Sequence, residues 1–115
     1  MISGGFRFHG HNSLRYVYAN GKAVRTRLIT IKCVVNSHRS RPRIAVVVSK
    51  KVMKSAVRRN RIRRRIYEYM RQRIPEFNGV YDIVIIVTSP EVFALPASEL
   101  TIQLDQVLGQ TELLS

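Results

Sequence analysis

Nine of the sixteen residues 50–65 are basic: Lys50, Lys51, Lys54, Arg58, Arg59, Arg61, Arg63, Arg64 and Arg65, with Asn60 set among the arginines. A guanidinium is a planar fork of donors that grips phosphate through paired hydrogen bonds and stacks flat on a base. Arginine at this density, rather than lysine, suits a phosphate-rich surface. The only acid that can pair within the same helical stretch is Glu68, within reach of Arg64, Arg65 and Arg71. Most of these charges therefore lack a local partner. Like charges at i, i+4 cost a few tenths of a kcal/mol per pair. A merely solvated helix face mixes signs and avoids that cost. The pattern points to nucleic acid. No helix-turn-helix, zinc-ligand spacing or heptad seam points to DNA readout.

The elements that position these residues follow from periodicity. A helix is predicted over 56–74, ended by Pro75 and Asn78-Gly79. Ile62, Ile66, Tyr69 and Met70 form its apolar stripe. Arg58, Arg61 and Arg65 run beside that stripe, Arg64 and Arg71 lie opposite with Asn60, and Arg63 sits at the other margin. An earlier helix is capped by Asn12-Ser13 and ends at Ala19, with Leu14, Val17 and Tyr18 on one face. Asn20-Gly21 stops it, Gly21 being free to take positive φ. Residues 24–36 read as one strand. Its core face is Ile29, Ile31, Cys33 and Val35, and its wetter face is Leu28, Thr30, Lys32 and Val34. Residues 43–49 form a second strand, paired with the first as a hairpin. Residues 80–87, apolar on both faces, belong inside the sheet. Ser98 caps a last helix with Leu100, Leu104, Val107 and Leu108 inward. The order α-β-β-α-β-α predicts an α+β fold, a two-layer α/β sandwich.

Charge is segregated. The 115 residues carry +13 overall, yet residues 1–67 hold 18 Lys and Arg and no acid, while residues 68–115 carry −5. Such a block calls for an anionic partner. The length predicts a single domain over 1–115, with 1–6 flexible and 109–115 frayed. The longest aliphatic run is the five residues 83–87, against about 20 for a membrane span. No membrane partner and no secretory signal are expected. One cysteine, Cys33, fits a reducing, cytoplasmic compartment and a small buried apolar role. His9 and His11 have no carboxylate within 50 residues, so neither they nor His38 imply a metal site. No Ser-His-Asp or paired-carboxylate arrangement places catalytic residues in the protein. Gly4-Gly5 lacks the strand and lysine of a phosphate loop.

The run Ile44-Ala45-Val46-Val47-Val48-Ser49, then Lys50-Lys51, a short loop, and Arg59-Asn60-Arg61-Ile62-Arg63-Arg64 opening a helix resembles the bacterial ribonuclease P protein subunit. The early helix with Tyr18 before Asn20-Gly21 and the late strand over 81–87 fall in the same order. The resemblance covers about residues 7–108. It implies a ribosomal-protein-like sandwich with a left-handed β-α-β crossover, where sheet physics alone favours the right-handed one in about 98% of cases. It implies a structural role for Asn60 in tying the crossover loop, with Arg59, Arg61 and their neighbours facing the catalytic RNA.

In that family the RNA subunit, with its own Mg²⁺, cuts the 5′ leader from precursor tRNA. The protein binds that RNA, one protein per RNA, and holds the leader in a cleft between the first helix and the sheet. Here the resemblance lines that cleft with Leu14, Tyr18, Thr30 and Lys32, with Lys51 and Arg59 or Arg61 near its rim. Leu14 and Lys32 stand where aromatics are common, which makes the cleft more electrostatic. The alternative is a ribosomal or other structural RNA-binding protein with no role in tRNA cleavage.

Overall fold

The strands form one four-stranded sheet in the order β1-β2-β4-β3. The computed structural model describes residues 11–37 and 40–114, and the side chains from Leu14 onward. The expectations for residues 1–6, His9 and His38 lie outside the described residues, and those for the side chains of His11, Asn12 and Ser13 lie outside the described side chains. In chain order the elements are α1 (His11–Asn20), β1 (Lys22–Arg25), β2 (Ile29–Val35), β3 (Arg43–Val48), α2 (Ala56–Arg73), β4 (Tyr81–Val87), α3 (Glu91–Ala94) and α4 (Ala97–Gly109). Two 3₁₀ turns, Ile74–Glu76 and Glu112–Leu114, complete the set. The expected α+β architecture is present.

β4 is the central strand, as its apolar faces predict; Ile83, Val84 and Ile85 are fully buried. It pairs antiparallel with β2, Ile29 opposite Val87, and parallel with β3, Arg43 opposite Asp82. The expected hairpin between residues 24–36 and 43–49 is therefore wrong. β2 instead makes its hairpin with β1, because the expected single strand breaks at residues 26–28. Thr26 closes that turn: its N–H donates to the Ile29 carbonyl, and its hydroxyl accepts from the Ile29 N–H. In this order β4 has ladder partners on both edges, and α2 carries the chain from β3 back to the adjacent position. Leu28, expected on the wetter face, falls in the turn and enters the main core. Val35, expected in the core, is 61% exposed at the last rung of the ladder.

The main core lies between one sheet face and α2 and α4. Ile62, Ile66, Tyr67 and Met70 are the buried face of α2. Tyr67, not Tyr69, is the buried tyrosine, and its hydroxyl accepts the N–H of Val46 on edge strand β3. The other sheet face is covered by α1, whose Val17 packs on Ala45 and Val84. α4 starts at Ala97 with no side-chain cap, so Ser98 is not its cap; Pro96 presets the backbone with φ −58°, and its carbonyl accepts from Leu100. The C-terminal stretch is not frayed through Leu114. Leu113 is fully buried, and its carbonyl accepts from Asn78 at 2.9 Å.

Gly21 does not use positive φ. Its requirement is steric: a Cβ there would stand 2.7 Å from the Val17 carbonyl oxygen and 3.2 Å from that of Cys33. Gly21→Ala is expected to destabilise the protein by about 1–3 kcal/mol by pushing α1 off the sheet. A thermal melt followed by circular dichroism checks this.

Arg73 joins α2 to α4 through Asp105, with Glu76 and Tyr69 beside it. Burial alone would raise the Asp105 carboxyl, but hydrogen bonds from Tyr69 and Arg73 outweigh it and hold it below its ordinary range. A depressed carboxyl stabilises the fold above its unfolded pKa and loses that contribution as pH falls through the folded value. The melting temperature is expected to drop below about pH 4, and Asp105→Asn should flatten that drop. Melts across the acid range read it directly.

Candidate nucleic-acid interface

The crossover from β3 to α2 presents the basic residues. Lys50 and Lys51 are exposed in the turn after Ser49, whose carbonyl accepts from Val52 and Met53. Ser55 caps α2, its hydroxyl accepting from the Arg58 N–H at 3.2 Å. That cap starts the helix where the sequence predicts, although no acid occupies the first turn. Arginines at a positive helix end are electrostatically unfavourable, so capping and the buried stripe carry the helix.

The ten predicted residues separate by their contacts. Three arginines brace the scaffold. Arg59 donates to the carbonyls of Met53 (3.0 Å) and Lys54 (2.7 Å), so it makes the loop tie expected of Asn60. Arg63 donates to Asn60 Oδ1 at 2.7 Å and reaches the Val48 carbonyl at 3.4 Å. Arg65 donates to the carbonyls of Val92, Phe93 and Leu95, the last at 2.6 Å. Partial burial, then the nearby Arg61, lowers its pKa. The other six, Lys50, Lys51, Lys54, Arg58, Arg61 and Arg64, are exposed. None has a carboxylate partner among the described residues. Asn60 is exposed and serves Arg63.

The predicted cleft residues lie on the opposite sheet face, under α1. Lys32 donates to the Tyr18 carbonyl at 3.2 Å, and its ammonium stands 5.3 Å from the Tyr18 ring centroid. Burial raises the Tyr18 pKa. Leu14 is half-buried beside the Val17, Ala45 and Val84 cluster. Thr30 is buried on β2, opposite Ile86. Val34, Val47 and Ile86 remain half-exposed around the helix. Tyr18 and Lys32 are brought together.

Residues 5–112 match the family model described as Ribonuclease P. The chain belongs to the ribonuclease P protein family. It is 37% identical over 116 residues to the ribonuclease P protein component of Prochlorococcus marinus strain MIT 9313, covering 96% of this chain and 84% of the relative. It is 34% identical over 89 residues to that of Pseudanabaena sp. strain PCC 6903, covering 77% of each. The fold is similar to that of the Staphylococcus aureus RNase P protein, with a TM-score of 0.86 at 23% identity over 96% of this chain and 98% of that one. The Thermotoga maritima RNase P protein gives 0.81 at 22% identity, over 92% and 97%. Membership in this family makes the chain a component of an endoribonuclease whose partner is ribonuclease P RNA. Among the described residues, no helix is long and apolar enough to cross a membrane.

Two features of this ribonuclease P family member escape sequence reasoning. Phe93 packs against α2 with Arg58 and Arg61 over its ring, at 5.1 and 5.9 Å. Its only sequence signal is a lone aromatic after a Ser-Pro break. Asp82 accepts two bonds from Arg43, at 2.9 and 2.8 Å, and one from Asn36 at 2.9 Å. Nothing local marks an acid in an apolar strand as the partner of an arginine 39 residues earlier.

Proposed function

We propose that this chain is the RNA-binding protein subunit of a cytoplasmic ribonuclease P, one copy per RNA. It holds the catalytic RNA through α2 and the crossover loop, and the 5′ leader of precursor tRNA through the α1 face. The observation that carries this reading is the division of the basic cluster. Arg59, Arg63 and Arg65 fix the scaffold, while six further cations stand exposed without carboxylate partners among the described residues.

On the α1 face, Lys32 occupies one side of the Tyr18 ring. The other side can stack a leader base, which contributes about 1–3 kcal/mol. Lys32 then adds charge for the adjacent phosphate, and Leu14 and Thr30 bound the groove. Hydrolysis belongs to the RNA and its Mg²⁺. A guanidinium-rich surface repels a divalent cation, which supports leaving the ion with the RNA.

Adding the protein to a bacterial ribonuclease P RNA at low Mg²⁺ should raise precursor cleavage. The assembled complex should also prefer precursor over mature tRNA. No gain in cleavage, or affinity independent of leader length, overturns this function in favour of a purely structural RNA-binding role.

A further inference from the structure

We propose that Phe93 is a positioning residue of the RNA interface, a platform that holds the guanidinium groups of Arg58 and Arg61 in register for phosphate. This rests on the RNA-binding reading of α2.

The platform is firmly mounted although α3 is only four residues long. Val92 is fully buried. The carbonyls of Val92, Phe93 and Leu95 accept from Arg65, and Glu91 pairs with Arg27 at 2.7 Å. The half-buried Phe93 ring is thereby fixed against α2, with both guanidiniums over it. Arg58 and Arg61 lie one turn apart and would otherwise repel and spread. A ring quadrupole attracts a cation within about 6 Å of its centroid, and both guanidiniums fall inside that range, at 5.1 and 5.9 Å.

The consequence is chemical. A guanidinium drawn over a ring by its charge spends no N–H donor on that contact and keeps its donors for a phosphate fork. Nearby acids do not compete for those donors: Glu91 pairs with Arg27, and Glu68 with Arg71. Rotamer freedom that each arginine would lose on binding RNA is already restricted in the free protein. Arg64, on the outer face of the same helix, has no such platform among the described residues, which makes it an internal control.

The test uses the full chain, with a transcribed bacterial ribonuclease P RNA as probe. Nε–H heteronuclear NOEs of the free protein report the order of each arginine without reference to RNA. Phe93→Leu removes the quadrupole and keeps an apolar side chain. It should lower the values for Arg58 and Arg61, leave Arg64 unchanged, and weaken RNA binding about 3–10-fold. The slope of log affinity against log salt should stay constant, because the same phosphates are still contacted. Phe93→Trp should restore both order and affinity. Should the leucine variant fail to fold, the folded tryptophan variant decides: looser arginines or weaker binding than the parent overturn the proposal. Ordered arginines in Phe93→Leu, or loosened arginines with unchanged affinity, also overturn it while leaving the RNA-binding reading intact. A parent protein that does not bind the RNA overturns that reading and the proposal together.

Discussion

Asp82→Ala is expected to destabilise the protein by about 3–5 kcal/mol, the largest single effect on folding predicted for this chain. Asp82 and Arg43 are register partners on β4 and β3, with side chains only 7% and 15% exposed. The carboxylate takes a two-pronged grip from Arg43 and a further bond from Asn36. The hydrogen bonds that Arg43 donates to Asp82 raise the Arg43 pKa, and a guanidinium is basic enough to stay charged when that partner is removed. Truncation would take the carboxylate away from a largely buried cation, and that penalty exceeds the net worth of the intact pair. The pair also fixes the parallel register where β3 enters the sheet. Urea unfolding reads the loss as a lower midpoint. A midpoint within experimental error of the parent's would show that water or Asn36 compensates.

Replacing Arg58, Arg61 and Arg64 together by alanine should reduce the salt slope of RNA binding by about two to three units. Affinity at moderate salt should fall roughly 100-fold. The thermal melt should change little, since all three side chains are exposed and lie off the buried face of α2. Arg65→Ala should behave in the opposite way. Its guanidinium bonds the carbonyls of Val92, Phe93 and Leu95 in a partly buried site, so its loss should cost about 1–3 kcal/mol of stability. Titrations over a range of salt, run beside melts of both variants, separate the two classes. A triple variant with an unchanged slope would mean that these arginines are only solvated.

These two predictions mark where sequence reasoning succeeds and where it stops. The helix bearing the arginines is legible because the Ile62, Ile66 and Met70 spacing and Pro75 are local signals. Tyr69 packs on the core only in part, and Tyr67 joins the buried face because its hydroxyl meets the Val46 N–H on β3, a contact that helical spacing does not record. The Ser49 to Arg64 motif identifies the interface segment, yet it treats every arginine in it alike. Arg65 and Arg58 lie on the same predicted row. One reaches carbonyls 27 to 30 residues away, and the other stands over the Phe93 ring.

By itself the sequence determined the segregated charge, the basic helix, the inner strand and the family, all of which depend on composition or on residues within a turn or two of one another. Tertiary structure alone decided that β3 pairs with β4 rather than β2, that Leu113 closes the core, and that Asp82 serves Arg43. It also decided which arginines brace the scaffold and which remain open. Each of those outcomes is a contact between residues far apart in the chain. Such contacts are chosen by which packing buries the two faces of β4 and satisfies the carbonyls and charges near the core, and local spacing carries no record of that choice.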